Sequence, residues 1–183
     1  MFFEIENIKG YECNAPVIEV YDNRGLPFYF FKNPQMQTIK FNLIAGKYYC
    51  ENDLKLLQKP LRYEPPKLPK FEKRRIIHDN IEFRVEPNPN KASIDISKGL
   101  IIIDNKYFNE IETPFCNFLL FHELGHYYYK TEYKCDLFSA FNMLIRGFNP
   151  TQCYYANSIC LSDRQSERKQ ILFNYLKKIK VYE

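Results

Sequence analysis

The sequence predicts an α+β protein, and three observations carry that reading. Residues 1 to 58 hold short runs of β-branched and aromatic residues parted by turn signals. Residues 59 to 75 then break the pattern with Pro60, Pro65, Pro66 and Pro69. From Thr113 onward, cap-and-proline signals recur in front of long apolar stretches, as helices require. Composition sets the outer bounds. The chain has 183 residues, 45% hydrophobic and 26% charged, enough for one compact domain or one domain with a small extension. Its 15 tyrosines and 16 phenylalanines exclude wholesale disorder, which goes with few aromatics. The longest apolar runs are four residues, such as Leu100 to Ile103, whereas a membrane span needs about 20.

In the β-rich region, Val17 to Tyr21 reads as a strand, Asp22-Asn23-Arg24-Gly25 as a turn, and Phe28 to Phe31 as the returning strand. Thr38 to Leu43 alternates, and Tyr48-Tyr49 follows the Ala45-Gly46 turn. Residues 59 to 75 read as an extended linker or as an arm on a surface, because closely spaced prolines prevent helix. Lys67, Lys70, Lys73, Arg74 and Arg75 make that arm basic. It could touch nucleic acid or an acidic partner, but a solvated linker is the simpler reading, and the net charge of +4 adds little to the first.

The second unit runs over 76 to 183. Ile81 to Val85, Ala92 to Ile96 and Leu100 to Asp104 read as strands of a small antiparallel sheet. A helix capped by Thr113, with Pro114 in its first turn, is expected to reach Tyr129. A second is expected from Thr131 to just before Gly147, a third from Asn149-Pro150, and a fourth from a capping box at Ser162 to Gln165, running to Lys180. The N-terminus carries acids early and no long apolar stretch, which does not suit a signal peptide. The six cysteines, none in C-x-x-C spacing, are therefore expected to be reduced thiols in a cytoplasm, most of them buried as small apolar residues.

The chemistry lies in His122-Glu123-Leu124-Gly125-His126, an H-E-x-x-H inside the first of these helices. Residues four apart share a helix face, so both imidazoles can reach one metal ion. Glu123 is rotated toward the edge of that face, where it can deprotonate a water without being a ligand. With three histidines and fifteen glutamates in the chain, chance produces such a motif roughly 0.4% of the time. Two histidines and a carboxylate among Phe118 to Phe121 and Tyr127 to Tyr129 are costly to bury unless paired or ligating. A catalytic zinc needs a third protein ligand and one open position. His78 stands alone, far off in sequence. Glu132 and Asp136 are closer and share a helix face: one could bind metal while the other orients a histidine. Only five residues, without glycine, separate His126 from Glu132, so the chain must reverse sharply there.

His122 to His126, followed by Glu132-Tyr133-Lys134-Cys135-Asp136 and Phe138-Ser139-Ala140, resembles the zincin metallopeptidases, and among them the gluzincins of the ImmA/IrrE-like type. The resemblance covers residues 92 to 146. It implies a zincin-like core with the strand Leu100 to Asp104 beside a cleft, Zn2+ held by His122, His126 and Glu132, Glu123 as general base, and Asp136 behind the ligands or as the alternative ligand. It also implies protein or peptide substrates, such as intracellular repressors or antitoxins. Tyr127, Tyr128 or Tyr129 is a candidate to stabilise the oxyanion. A reading from another class stays open: a structural or assembly protein, for instance of a phage virion, that keeps the zincin fold and docks through residues 1 to 75.

Overall fold

The computed structural model describes residues 1–72, 81–160 and 165–183, which fold as a mixture of α and β. The first strands are β1 (Phe2–Ile5), β2 (Lys9–Cys13), β3 (Val17–Asp22), β4 (Pro27–Lys32), β5 (Ile39–Leu43), β6 (Gly46–Cys50) and β7 (Lys55–Leu56). They form two antiparallel sheets, one in the order β1-β6-β3-β4 and the other β5-β2-β7. Alternation decides the inward face of β3: Ile18 and Val20 are fully buried, while Val17 is exposed. The expected β3–β4 turn is held by Asp22, whose carboxylate accepts from the N–H groups of Arg24 and Leu26.

The proline-rich segment is an extended connector that lies along the helical part of the molecule. Leu61 and Tyr63 are buried, and β8 (Arg62–Glu64) pairs with β12 (Lys180–Tyr182). Farther on, the carbonyl of Pro66 accepts from the Tyr175 hydroxyl, and that of Pro69 from the Tyr129 hydroxyl, both at 2.8 Å. Glu72 pairs with Lys134 and accepts from the Lys130 N–H. Lys73 to Arg75 and His78 lie outside the described residues.

Strands β9 (Glu82–Glu86), β10 (Ala92–Asp95) and β11 (Leu100–Asp104) form a sheet in the order β10-β11-β9. The expected antiparallel pairing holds for β10 and β11, but β9 runs parallel to β11. The sheet is therefore mixed. The cause is the arch after β9: it passes the end of β11 rather than turning back beside β9. Asn88 donates its N–H to the Asp104 carboxylate there, and the Asp104 N–H donates to the Lys91 carbonyl.

Asp104 also caps α1 (Asn105–Glu110), a helix not expected from the sequence, by accepting from the Tyr107 N–H. The helices α2 (Thr113–Gly125), α3 (Glu132–Ile145), α4 (Pro150–Cys160) and α5 (Ser166–Leu176) follow. Two run shorter than expected. Helix α2 ends at Gly125, not Tyr129, and its N-cap is Glu112 rather than Thr113, whose hydroxyl instead donates to Asp22. Helix α5 ends before Lys180, because Lys180–Tyr182 is drawn into pairing with β8. Of the capping box expected at Ser162 to Gln165, only Gln165 is described, as the N-cap of α5. Gly147 ends α3 at φ +90°, a conformation that costs glycine nothing.

One hydrophobic core runs from Ile5 to Leu176 and joins the strands to the helices. A buried polar seam crosses it. Asn149 accepts from the Asn42 N–H and from the Tyr63 hydroxyl, and Gln152 donates to the Phe28 carbonyl at 2.6 Å. All six cysteines are free thiols and five are buried. No described helix is long and apolar enough to cross a membrane.

Candidate metal centre

The site starts from α2. Phe115, Phe118 and Phe121 sink one side of this helix into the core, which leaves His122 and Glu123 at the wall of a cleft, each about nine-tenths buried. His126 falls on the C-cap position in a right-handed helical conformation, so the helical spacing of the two histidines is kept. Their rings lie 5.1 Å apart and nearly perpendicular.

The reversal after His126 needs no glycine. The N–H groups of Tyr128 and Tyr129 both close on the Gly125 carbonyl at 2.9 Å, and neither residue takes a positive φ. Burial of Tyr127 and Tyr129, at 1% and 0% exposure, fixes the turn from inside. Thr131 is extended and α3 begins at once with Glu132. A carboxylate in the first turn is favoured by the helix dipole, and here it is also aimed back at α2. Glu132 Oε2 lies 3.1 Å from His122 Nε2, and its Oε1 lies 3.7 Å from His126 Nε2. Donor atoms of His122, His126 and Glu132 all fall within 4.8 Å of one another, so this cluster could hold a metal ion. Glu132 is the exposed member, at the mouth.

Asp136, one turn later on α3, stands elsewhere. It is 1% exposed and its Oδ1 lies 2.9 Å from His122 Nδ1, on the side of the ring away from Glu132. Of the two acids that the sequence leaves open, Glu132 shares a point with both histidines and Asp136 backs one of them. Behind His126, the Cys135 sulfur lies 3.5 Å from Nδ1.

Charge follows this geometry. Burial alone would lower the His122 pKa, but hydrogen bonds to Asp136 and Glu132 outweigh it and lift the value to about 9. The hydrogen bond with His122 holds the Glu132 carboxyl at about 2. Glu123 is pushed up, mainly by burial. Binding of a metal ion by these groups needs the neutral imidazole and the carboxylate, so it would compete with protons.

The cleft has a volume of about 580 Å³. Its walls are the arch before β10 at Asn90 and Lys91, the α2 face at Leu119, and Arg168 on α5. None of the tyrosines considered for the oxyanion lines it. The Tyr129 hydroxyl is committed to Pro69, the Tyr128 ring packs at a tilt against Phe71 with centroids 4.6 Å apart, and Tyr127 is buried.

Arg168 is the residue that the sequence reading missed. Its Nε and one terminal nitrogen each donate to Asp136 at 2.8 Å, and the other terminal nitrogen lies 3.5 Å from Glu132 Oε2. A signal was present. Arg168 precedes Leu172 and Tyr175 by four and seven residues, which puts an arginine on the buried stripe of α5. No family model, no curated protein and no solved structure matches the chain.

Proposed function

We propose that the protein is a zinc-dependent peptidase of the zincin type, hydrolysing a peptide bond with water. The observation that carries this reading is the convergence of two imidazoles and one carboxylate beside the buried Glu123, with His122, Glu123 and Glu132 lining a cleft. The donor set is that of a catalytic zinc site, three protein ligands with a position left over. Bonds of about 2.0–2.2 Å at tetrahedral angles put donor atoms about 3.3–3.6 Å apart. Here the three donor atoms lie within 4.8 Å of one another, and the two Glu132 oxygens stand 3.1 Å from His122 Nε2 and 3.7 Å from His126 Nε2 respectively.

Zinc, when bound, supplies acidity to water near neutral pH and polarises a carbonyl. The rest falls to this chain's side chains. His122, His126 and Glu132 would hold the ion, and Asp136 keeps the His122 ring oriented through Nδ1. Glu123 takes the proton of the attacking water and passes it to the leaving amine nitrogen as the C–N bond breaks, so the proton is conserved. The proposed substrate is a protein or peptide segment. Six free thiols suit the reducing cytoplasm proposed as the setting.

The test uses zinc-loaded protein and a library of quenched fluorescent peptides. Wild type is expected to hold one zinc and to cleave a subset, and a chelator should abolish cleavage until zinc is restored. Glu123→Gln should keep the zinc and lose about 10²–10⁴-fold in kcat, the range of general acid–base catalysis. If wild type binds zinc and cleaves nothing that depends on Glu123, the reading as an assembly protein with a structural zinc replaces this one.

A further inference from the structure

We propose that Arg168 is a positioning residue of the metal centre, reaching from α5 to set the geometry of ligands on α2 and α3. The inference rests on the metal-site reading above and adds to it a residue on a third helix.

Glu132 and Asp136 stand one turn apart on α3, so two carboxylates share one face. Side by side they repel, and Asp136 is 1% exposed. A buried carboxylate without a cation partner is strongly unfavourable. Arg168, with its side chain 16% exposed, lies against both. Its fork grips the two oxygens of Asp136 at 2.8 Å each, a bidentate arrangement that fixes the plane of the carboxylate and not only its place. The oxygen it holds through the terminal nitrogen, Oδ1, is also the one 2.9 Å from His122 Nδ1. The plane of Asp136 therefore sets the His122 ring, and the ring sets where Nε2 points. The remaining nitrogen of Arg168 borders Glu132 Oε2, 3.5 Å away, so the same guanidinium biases the second ligand too.

Lysine could supply the charge but not the fork. The proposal thus predicts that Arg168→Lys folds yet binds metal less well. Zinc affinity would be measured by competition with a chromophoric chelator, and ligand geometry by the visible spectrum of the Co2+-loaded protein. The proteins are wild type, Arg168→Lys, Arg168→Met, Asp136→Asn and the double variant Arg168→Met/Asp136→Asn. Substitutions behind a metal ligand cost about 10–100-fold in affinity. Arg168→Lys is expected to lose about 10-fold and to shift the Co2+ bands, while its thermal midpoint in chelator stays near wild type. If Arg168 acts through Asp136, the double variant loses much less than the product of the two single losses.

Zinc affinities of Arg168→Lys and Arg168→Met within twofold of wild type would overturn the proposal, as would losses that multiply in the double variant. Should Arg168→Met fail to fold, a twofold or smaller change in Arg168→Lys, with unchanged Co2+ bands, overturns it alone. Wild type that takes up no zinc would sink the metal-site reading and this inference with it. None of these readouts depends on peptide cleavage, so an inactive protein that still binds zinc tests Arg168 equally well.

Discussion

Gly125 lies between the two histidines, and a Cβ built on it would meet Cys135 Cα at 2.9 Å and Cys135 Cβ at 3.0 Å. Helices α2 and α3 cross at this point with no room for a methyl group, and Cys135 is itself fully buried. Gly125→Ala is therefore expected to cost about 1–3 kcal/mol, the usual range for overpacking. Because the crossing also sets the gap from His126 to Glu132, the metal-site proposal predicts that zinc affinity falls with stability. Thermal denaturation in chelator and a zinc titration check the two separately, and an alanine variant as stable as wild type would refute the packing argument. At this scale the sequence was most legible where geometry is local. Four-residue spacing fixes His122 and His126 on one face before anything else is known. The roles of Glu132 and Asp136 were not fixed, since they depend on a five-residue reversal whose path is set by burial of Tyr127 and Tyr129. Arg168 was harder still, lying 32 residues from the carboxylate it grips.

Elements with their own strong pattern could be read, and those that lean on distant partners could not. Val17 to Tyr21, Phe28 to Phe31 and Leu100 to Asp104 carry β-branched or aromatic runs and are strands. Strand β2 contains Lys9, Gly10 and Glu12 and is a strand because β5 and β7 flank it. The turn between β3 and β4 reaches farther than its four residues suggest. Arg24, paired with Asp22 at 2.8 Å, also donates to the Ile111 carbonyl at 3.0 Å, tying this turn to the entry of α2. Burial works against the Asp22 charge, yet Arg24 and the N–H groups of Leu26 and Arg24 hold its pKa below the ordinary aspartate value. A depressed folded pKa means stability that is present above the unfolded value of about 3.9 and lost as pH falls on through the folded one. Wild type should therefore lose stability below about pH 4 along a slope that Asp22→Asn flattens, as measured by urea unfolding across that range. At pH 7 the same substitution should cost about 1.5–3 kcal/mol, the range for a hydrogen bond to a charged partner. Parallel unfolding profiles for the two proteins would contradict the assignment.

At the scale of the molecule, composition divides the chain into three stretches, and the buried contacts cross every division. Phe28 stacks on Phe148 at 6.0 Å, Asn42 and Asn149 exchange hydrogen bonds, and β8 pairs with β12. Such contacts are invisible in a sequence because each partner alone is an ordinary aromatic, amide or short strand. Their consequence is cooperativity. Calorimetry of the metal-free chain should show one transition, with equal calorimetric and van't Hoff enthalpies. Two separate transitions would mean that the β-rich half and the helices melt independently. Residues 81–183 alone should be unfolded, stripped of the sheets that cover Phe148. The same layout orders events in time. Synthesis passes His122, His126 and Glu132 before it reaches α5, so a nascent chain carries the His-His-Glu cluster before Arg168 exists to pair with it. On the metal-site proposal, an ion captured at that stage would be held loosely and exchange readily, and tight retention would begin only once α5 has docked.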